Sequence, residues 1–151
     1  TVGAAHERFM EDGLRPVRAL RFASKLGFSI EKNTYSEIFK KEIQAKAASI
    51  SIERFRDEFE KIMSSPKPSV GLKLLEESGL LDIFIPEFKI CRGCIQSDYR
   101  AFHKFDVLDH LFYACDGAPA DKLNVRLAAL FHDIGKPAAK KIIEEKGDLD
   151  E

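Results

Sequence analysis

The sequence predicts an all-α fold. Apolar positions recur at three- and four-residue spacing nearly throughout, and no segment alternates in the manner of a half-buried strand. The breaks between apolar stretches carry helix caps, glycines and prolines. Hydrophobic residues are 44% and charged residues 32%, so the chain has enough apolar surface to collapse and enough charge to remain in water. At 151 residues it can form one ordinary core or two small ones.

Pro16 cannot sit deep in a helix, so a first helix is expected to begin between residues 12 and 15 and to run to about residue 26, with Gly27 as its stop. Phe28 and Ile30 then fold back on it. Thr34 and Glu37 form a capping box for a second helix, whose apolar stripe is Tyr35, Ile38, Phe39 and Ile43 and whose later half is rich in alanine. Ser51 caps a third helix with Ile52, Phe55, Phe59, Ile62 and Met63 on one face, ended by Pro66 and Pro68. Ser69 caps a fourth, with Val70, Leu72, Leu74 and Leu75 inward and Gly79 as its end, before the apolar residues 80–85 are turned by Pro86. Residues 87–103 have no sustained period and read as the connection between two lobes. Asp106 caps a helix carrying Val107, Leu108, Leu111, Phe112 and Cys115, broken by Gly117 and Pro119. Asp121 caps the next, with Leu123, Leu127, Leu130 and Phe131 inward and its end at Gly135 and Pro137.

A net charge of -1, from 24 Lys and Arg against 25 Asp and Glu, means that attraction to a polyanion requires local clustering of the basic residues. No apolar run approaches the roughly 18 residues of a membrane span, and residues 1–6 lack a signal pattern, so a cytoplasmic protein without a membrane partner is expected. Three cysteines do not form a disulfide framework. Cys91 and Cys94 make a C-x-x-C pair, which supplies half of a zinc site and reads as a surface turn. The charged residues 140–151, with no capping signal after them, are expected of a chain cut within a longer protein.

Glu11, Asp12, Arg15, Arg18 and Arg21 fall where the first helix starts, and spacing of three puts Asp12, Arg15 and Arg18 in one neighbourhood. They suit a capped helix with an acid at its positive end and arginines on its wet face. By spacing alone that reading comes first; the alternative is a nucleobase edge, because adenine and cytosine offer an amino donor beside a ring-nitrogen acceptor, which an Asp and Arg pair complements. Guanine and uracil offer the reverse order.

The stretch "ERFMEDGLRPVRALRFASKLGF", together with "SIERFRDEFEKIM" and "GLKLLEESGLLDIFIPEF", resembles bacterial tRNA nucleotidyltransferases (CCA-adding enzymes) and the related poly(A) polymerases. The family motif Glu-Asp-x-x-Arg falls on Glu11, Asp12 and Arg15, and the following Arg-x-x-Arg-Phe on Arg18, Arg21 and Phe22. The resemblance implies that Asp12 and Arg15 read the base of ATP or CTP and that Arg18 holds the nucleotide. Glu11 and Arg21 are expected to stand behind them and fix the helix. It also implies RNA as partner, for which Lys40, Lys41, Lys46, Arg54 and Arg56 are candidate phosphate contacts, although a solvated helical face explains the same charges. The carboxylates that hold magnesium in this family follow a Gly-Ser segment, which this sequence lacks; Asp148 and Asp150 spell Asp-x-Asp but lie in an acidic tail. The chain is therefore expected to be the later part of such an enzyme, inactive alone. Residues 1–30 would end the nucleotide-binding head, 31–100 form the helical neck and body, and 101–151 open a further lobe.

That lobe is announced by "HKFDVLDHLFYACDG" and "LAALFHDIGKP", which resemble the HD phosphohydrolase superfamily. The resemblance assigns His110, His132 and Asp133 as three metal ligands, with a fourth normally far downstream. Imidazole and carboxylate suit manganese, nickel, zinc or iron. His103 is a rival first ligand, poorer for standing ahead of the helix cap, and Lys136 is a candidate for a substrate phosphate. Two other readings stay open: a metal-dependent phosphohydrolase with the earlier helices as support, and a non-catalytic RNA-binding module.

Overall fold

The computed structural model describes residues 3–95 and 106–147. Among these, every extended element is helical: α1 (Ala5–Glu11), α2 (Leu14–Leu26), α3 (Lys32–Ile38), α4 (Lys41–Ala48), α5 (Ile52–Met63), α6 (Pro68–Glu77), α7 (Leu80–Phe84), a 3-10 helix (Pro86–Cys91), α8 (Val107–Asp116), α9 (Leu123–Phe131) and α10 (Lys136–Gly147). The sole β-type pairing among them is an isolated antiparallel bridge between Ile95 and Asp106. None of these helices is long and apolar enough to cross a membrane.

The expected α2, α5 and α8 form where the apolar period and caps place them. Gly27 ends α2 in the left-handed region at φ 69°, which a side chain would resist. The Ser51 hydroxyl accepts from the Arg54 amide, and the Asp106 carboxylate accepts from the Asp109 amide. On α5, Phe55, Phe59, Ile62 and Met63 are buried, while Ile52 is exposed.

Elsewhere the tertiary structure overrides the local reading. α1 has no apolar period of its own and buries only Phe9; packing on α2, α3 and α4 holds it. The expected second helix is two helices, capped by Glu31 rather than Thr34: the Glu31 carboxylate accepts from the Asn33 and Thr34 amides. The break has a packing reason. Ile38 and Ile43 are both fully buried, and on one continuous helix five residues turn through about 140° net, which would point them apart. Phe28 does not fold back but is 69% exposed, whereas Ile30 packs on the core.

α6 starts at Pro68, so that proline opens a helix instead of closing one; its missing N–H costs nothing in a first turn. Ser69 is buried in that turn, and Val70 is exposed. Pro137 likewise sits in the first turn of α10, where a stop was expected. α9 begins after Lys122 without a side-chain cap, so Asp121 does not cap it, and Phe131 is partly exposed. The C-x-x-C pair is no surface turn: Cys91 is fully buried in the 3-10 helix, its thiol toward the Ile134 carbonyl at 3.8 Å, and Cys94 packs against the core. Burial, then the neighbouring Cys94 and Asp106, pushes the Cys91 thiol up, as suits a thiol packed in the core.

α2 lies on α5 and α6, α8 lies on α6 and α9, and α9 reaches α5. The buried side chains thus form one cluster from Phe9 through Leu72 and Phe88 to Leu130. Two corners outside this cluster hold most of the site residues expected from the sequence: the junction of α1 and α2, and the facing ends of α8 and α9.

Candidate functional site

Asp12 does not lie on a helix with Arg15 and Arg18. It occupies the corner between α1 and α2 in extended conformation (φ -145°, ψ 114°), and its Oδ1 accepts from the Leu14 amide at 3.0 Å. Gly13 lets this corner close against α4: a Cβ there would stand 2.2 Å from the Lys46 carbonyl oxygen. Arg54 of α5 reaches Asp12, its Nη2 donating to Oδ2 at 2.9 Å and to Oδ1 at 3.1 Å. Burial alone would raise the Asp12 carboxyl; the Leu14 amide and the Arg54 guanidinium outweigh it and hold the pKa below the usual carboxylate value.

Arg15 turns toward α1 instead of Asp12. Its Nη1 donates to Glu11 Oε2 at 2.6 Å and to the Arg8 carbonyl at 3.1 Å, while Arg8 holds the other Glu11 oxygen at 2.7 Å. Side chains of Glu11 and Arg15 remain 45% and 40% exposed, so the pair faces outward. Arg18 is exposed one turn further along α2. Arg21 is buried: its Nε donates to Glu58 of α5, and its guanidinium lies 3.8 Å from the Phe22 ring centroid. This pair bolts α2 to α5 and so aims the exposed face of α2.

The basic residues proposed for phosphate contact are divided. Arg54 serves Asp12, Lys40 donates to Glu37 at 2.7 Å, and Arg56 lies 3.6 Å from Asp57 and 3.7 Å from Glu60. Lys41 is exposed and Lys46 half-buried on α4.

At the second corner, His110 from α8 meets His132 and Asp133 from the end of α9. One ligand atom from each lies within 4.8 Å of the other two. The two Nε2 atoms are 3.3 Å apart, and Asp133 Oδ2 is 3.1 Å from His132 Nε2 and 3.5 Å from His110 Nε2. The His132 Nδ1 lies 2.7 Å from the Ala129 carbonyl, which can only accept, so Nδ1 carries a proton and Nε2 is the ring nitrogen turned to the cluster. Two nitrogens and one carboxylate oxygen in that arrangement fit a divalent transition ion. Burial would raise the Asp133 carboxyl, but the Lys136 ammonium, 2.6 Å from Oδ2, followed by His132 and His110, holds it down. His103, Asp148 and Asp150 lie outside the described residues.

Three buried or capping groups that tie the helices together are not anticipated from the sequence. Arg126 of α9 is 2% exposed and donates to the carbonyls of Met63 and Ser65 at the end of α5 and to that of Ala118 at 3.0 Å. Asp116 at the end of α8 accepts from the Ser69 amide at 2.9 Å and hydroxyl at 2.7 Å, capping α6 from another helix. Glu58 sits on an apolar face of α5, and a charged residue at such a position is the one signal that could have exposed it.

Residues 27–91 match the family described as "Probable RNA and SrmB- binding site of polymerase A", and residues 100–151 match the HD domain family. A CC-adding tRNA nucleotidyltransferase of Thermus thermophilus is 33% identical over 153 residues, covering 97% of this chain and 35% of that protein. An A-adding tRNA nucleotidyltransferase of Deinococcus radiodurans is 34% identical over 88% of this chain and 32% of its own length. A CCA-adding enzyme of Geobacillus sp. is 45% identical over 66% of this chain and 24% of its own length. The chain thus spans about a third or less of these relatives. No solved structure matches it significantly.

Proposed function

This chain is homologous to a segment of the tRNA nucleotidyltransferases, and from that premise we propose that it is the base-selecting and RNA-holding part of an enzyme that adds CMP or AMP to RNA 3′ ends. The observation that carries the reading is 33% identity sustained over 97% of the chain to a protein of that activity. Asp12 and Arg15 read the amino and ring-nitrogen groups of cytosine and adenine from the corner of α1 and α2, and Arg18 contacts the nucleotide from the exposed face of α2. Glu11 orients Arg15, and the Arg21 and Glu58 pair fixes α2. Lys41 and Lys46, with Lys40 and Arg56, supply phosphate contacts for a tRNA, while Arg54, engaged by Asp12, supports base reading instead. ATP and CTP are the nucleotide partners, and magnesium in the intact enzyme would be held by a carboxylate pair after a Gly-Ser segment, a pattern this sequence lacks, to neutralise the triphosphate. The test is to sequence the 3′ ends that the full-length protein makes on a tRNA lacking its terminal nucleotides, with all four nucleoside triphosphates present. Ends extended only with C, A or both agree with the reading; unextended ends, or ends carrying all four nucleotides, overturn it.

The cluster of His110, His132 and Asp133 favours a second reading for the HD part, metal-dependent hydrolysis of a phosphate ester. A divalent ion held there would polarise a phosphoryl oxygen or activate a water. Phosphatase activity that follows added manganese or nickel and is lost in His132→Ala supports it; activity indifferent to both overturns it.

A further inference from the structure

Asp133 Oδ2 is shared. The point where a divalent ion would meet its oxygen ligand is also where an ammonium docks: Lys136 Nζ stands 2.6 Å away, closer than either imidazole. The contact is local, because the Lys136 amide donates to the Asp133 carbonyl at 3.0 Å and a turn of three residues returns the side chain onto the carboxylate. Lys136 thus sets an ammonium directly on the oxygen that both imidazoles face.

We propose that Lys136 is a resident cation of the site, neutralising Asp133 in the metal-free protein, and that a divalent ion must displace its ammonium to bind Oδ2. The inference rests on the metal-site reading above. Its physical content is a competition. A dication and an ammonium cannot share one carboxylate oxygen without strong repulsion, and the Lys136 side chain, 45% exposed, can swing into water at modest cost. Lys136 therefore lowers the metal affinity of this site, so that the site fills only when the ion is abundant.

The experiment measures Mn2+ binding to this chain by titration calorimetry and by the loss of the free-ion EPR signal, in wild type, Lys136→Met, Lys136→Arg and His132→Ala. Lys136→Met should bind about tenfold more tightly than wild type, with the gain shrinking as salt rises. Lys136→Arg keeps the charge and should show no such gain, and His132→Ala should abolish saturable binding. Equal affinity in wild type and Lys136→Met, with binding still dependent on His132, overturns the competition and leaves the metal site standing. Weaker binding in Lys136→Met overturns it too. Absence of saturable binding in wild type and Lys136→Met alike, or binding that His132→Ala leaves intact, overturns the metal site and the competition together.

Discussion

Arg54 Nη2 donates to both carboxylate oxygens of Asp12 across 42 positions of sequence, so the acid proposed to read a base is held by a helix other than the two it joins. This bears on selectivity. In the proposed intact enzyme, Asp12→Ala would remove the proposed acceptor for the amino group of adenine or cytosine. The ratios of kcat/KM for ATP over UTP and CTP over UTP should fall by roughly one to two powers of ten, since losing a charge-assisted partner costs about 1 to 3 kcal/mol. Arg54→Ala should lower the same ratios by a smaller factor while leaving the salt dependence of tRNA binding unchanged. If Arg54→Ala instead weakens tRNA binding and spares both ratios, Arg54 is a phosphate contact and not the support of Asp12.

Acid should loosen α2 from α5. Burial would raise the Glu58 carboxyl, but Lys61 and Arg21 outweigh it and keep its folded pKa below the ordinary value. The stabilisation is therefore complete above the unfolded carboxyl's pKa, about 4.3, and is lost as pH falls through the lower folded pKa. Glu58→Gln should cost about 3 kcal/mol near neutral pH by leaving Arg21 buried without its countercharge. The mutant's melting temperature should also drop less than that of wild type between about pH 6 and pH 3. Parallel acid profiles would show that Glu58 titrates as an ordinary surface acid.

Gly13 is required by space and not by its backbone angle, which at φ -63° suits any residue. An alanine Cβ would meet the carbonyl of Lys46, a backbone group that cannot rotate away. Gly13→Ala should destabilise by about 1 to 3 kcal/mol, a fall of several degrees in Tm, and in the intact enzyme should disturb nucleotide selection at the adjoining Asp12. An unchanged Tm would mean that α4 yields freely there.

Arg126→Met should be among the most damaging single changes. It preserves the bulk of the side chain but leaves the carbonyls of Met63, Ser65 and Ala118 without their donor, for a loss of about 3 kcal/mol or more by denaturant unfolding. A loss below about 1 kcal/mol would imply that water replaces the guanidinium.

The helical class, the α2, α5 and α8 helices and the pairing of His110 with His132 were legible in the sequence. Periodicity, caps and short motifs depend on residues within a turn or two of one another. The prolines show the limit of such reading. Pro68 and Pro137 exclude a helix interior but do not say whether a helix ends before them or begins with them, and in the folded chain each stands in a first turn. Ile38 and Ile43 likewise needed one core to receive both before the helix between them had reason to break. At the sites, the sequence by itself determined which donors and acceptors are present: Asp12 with Arg15, and His110 with His132 and Asp133. Only the tertiary structure decided that Arg54 holds Asp12, that Glu11 holds Arg15 and that Lys136 stands on Asp133 Oδ2. A charge takes the nearest opposite charge that packing leaves within reach, and sequence spacing does not contain that distance.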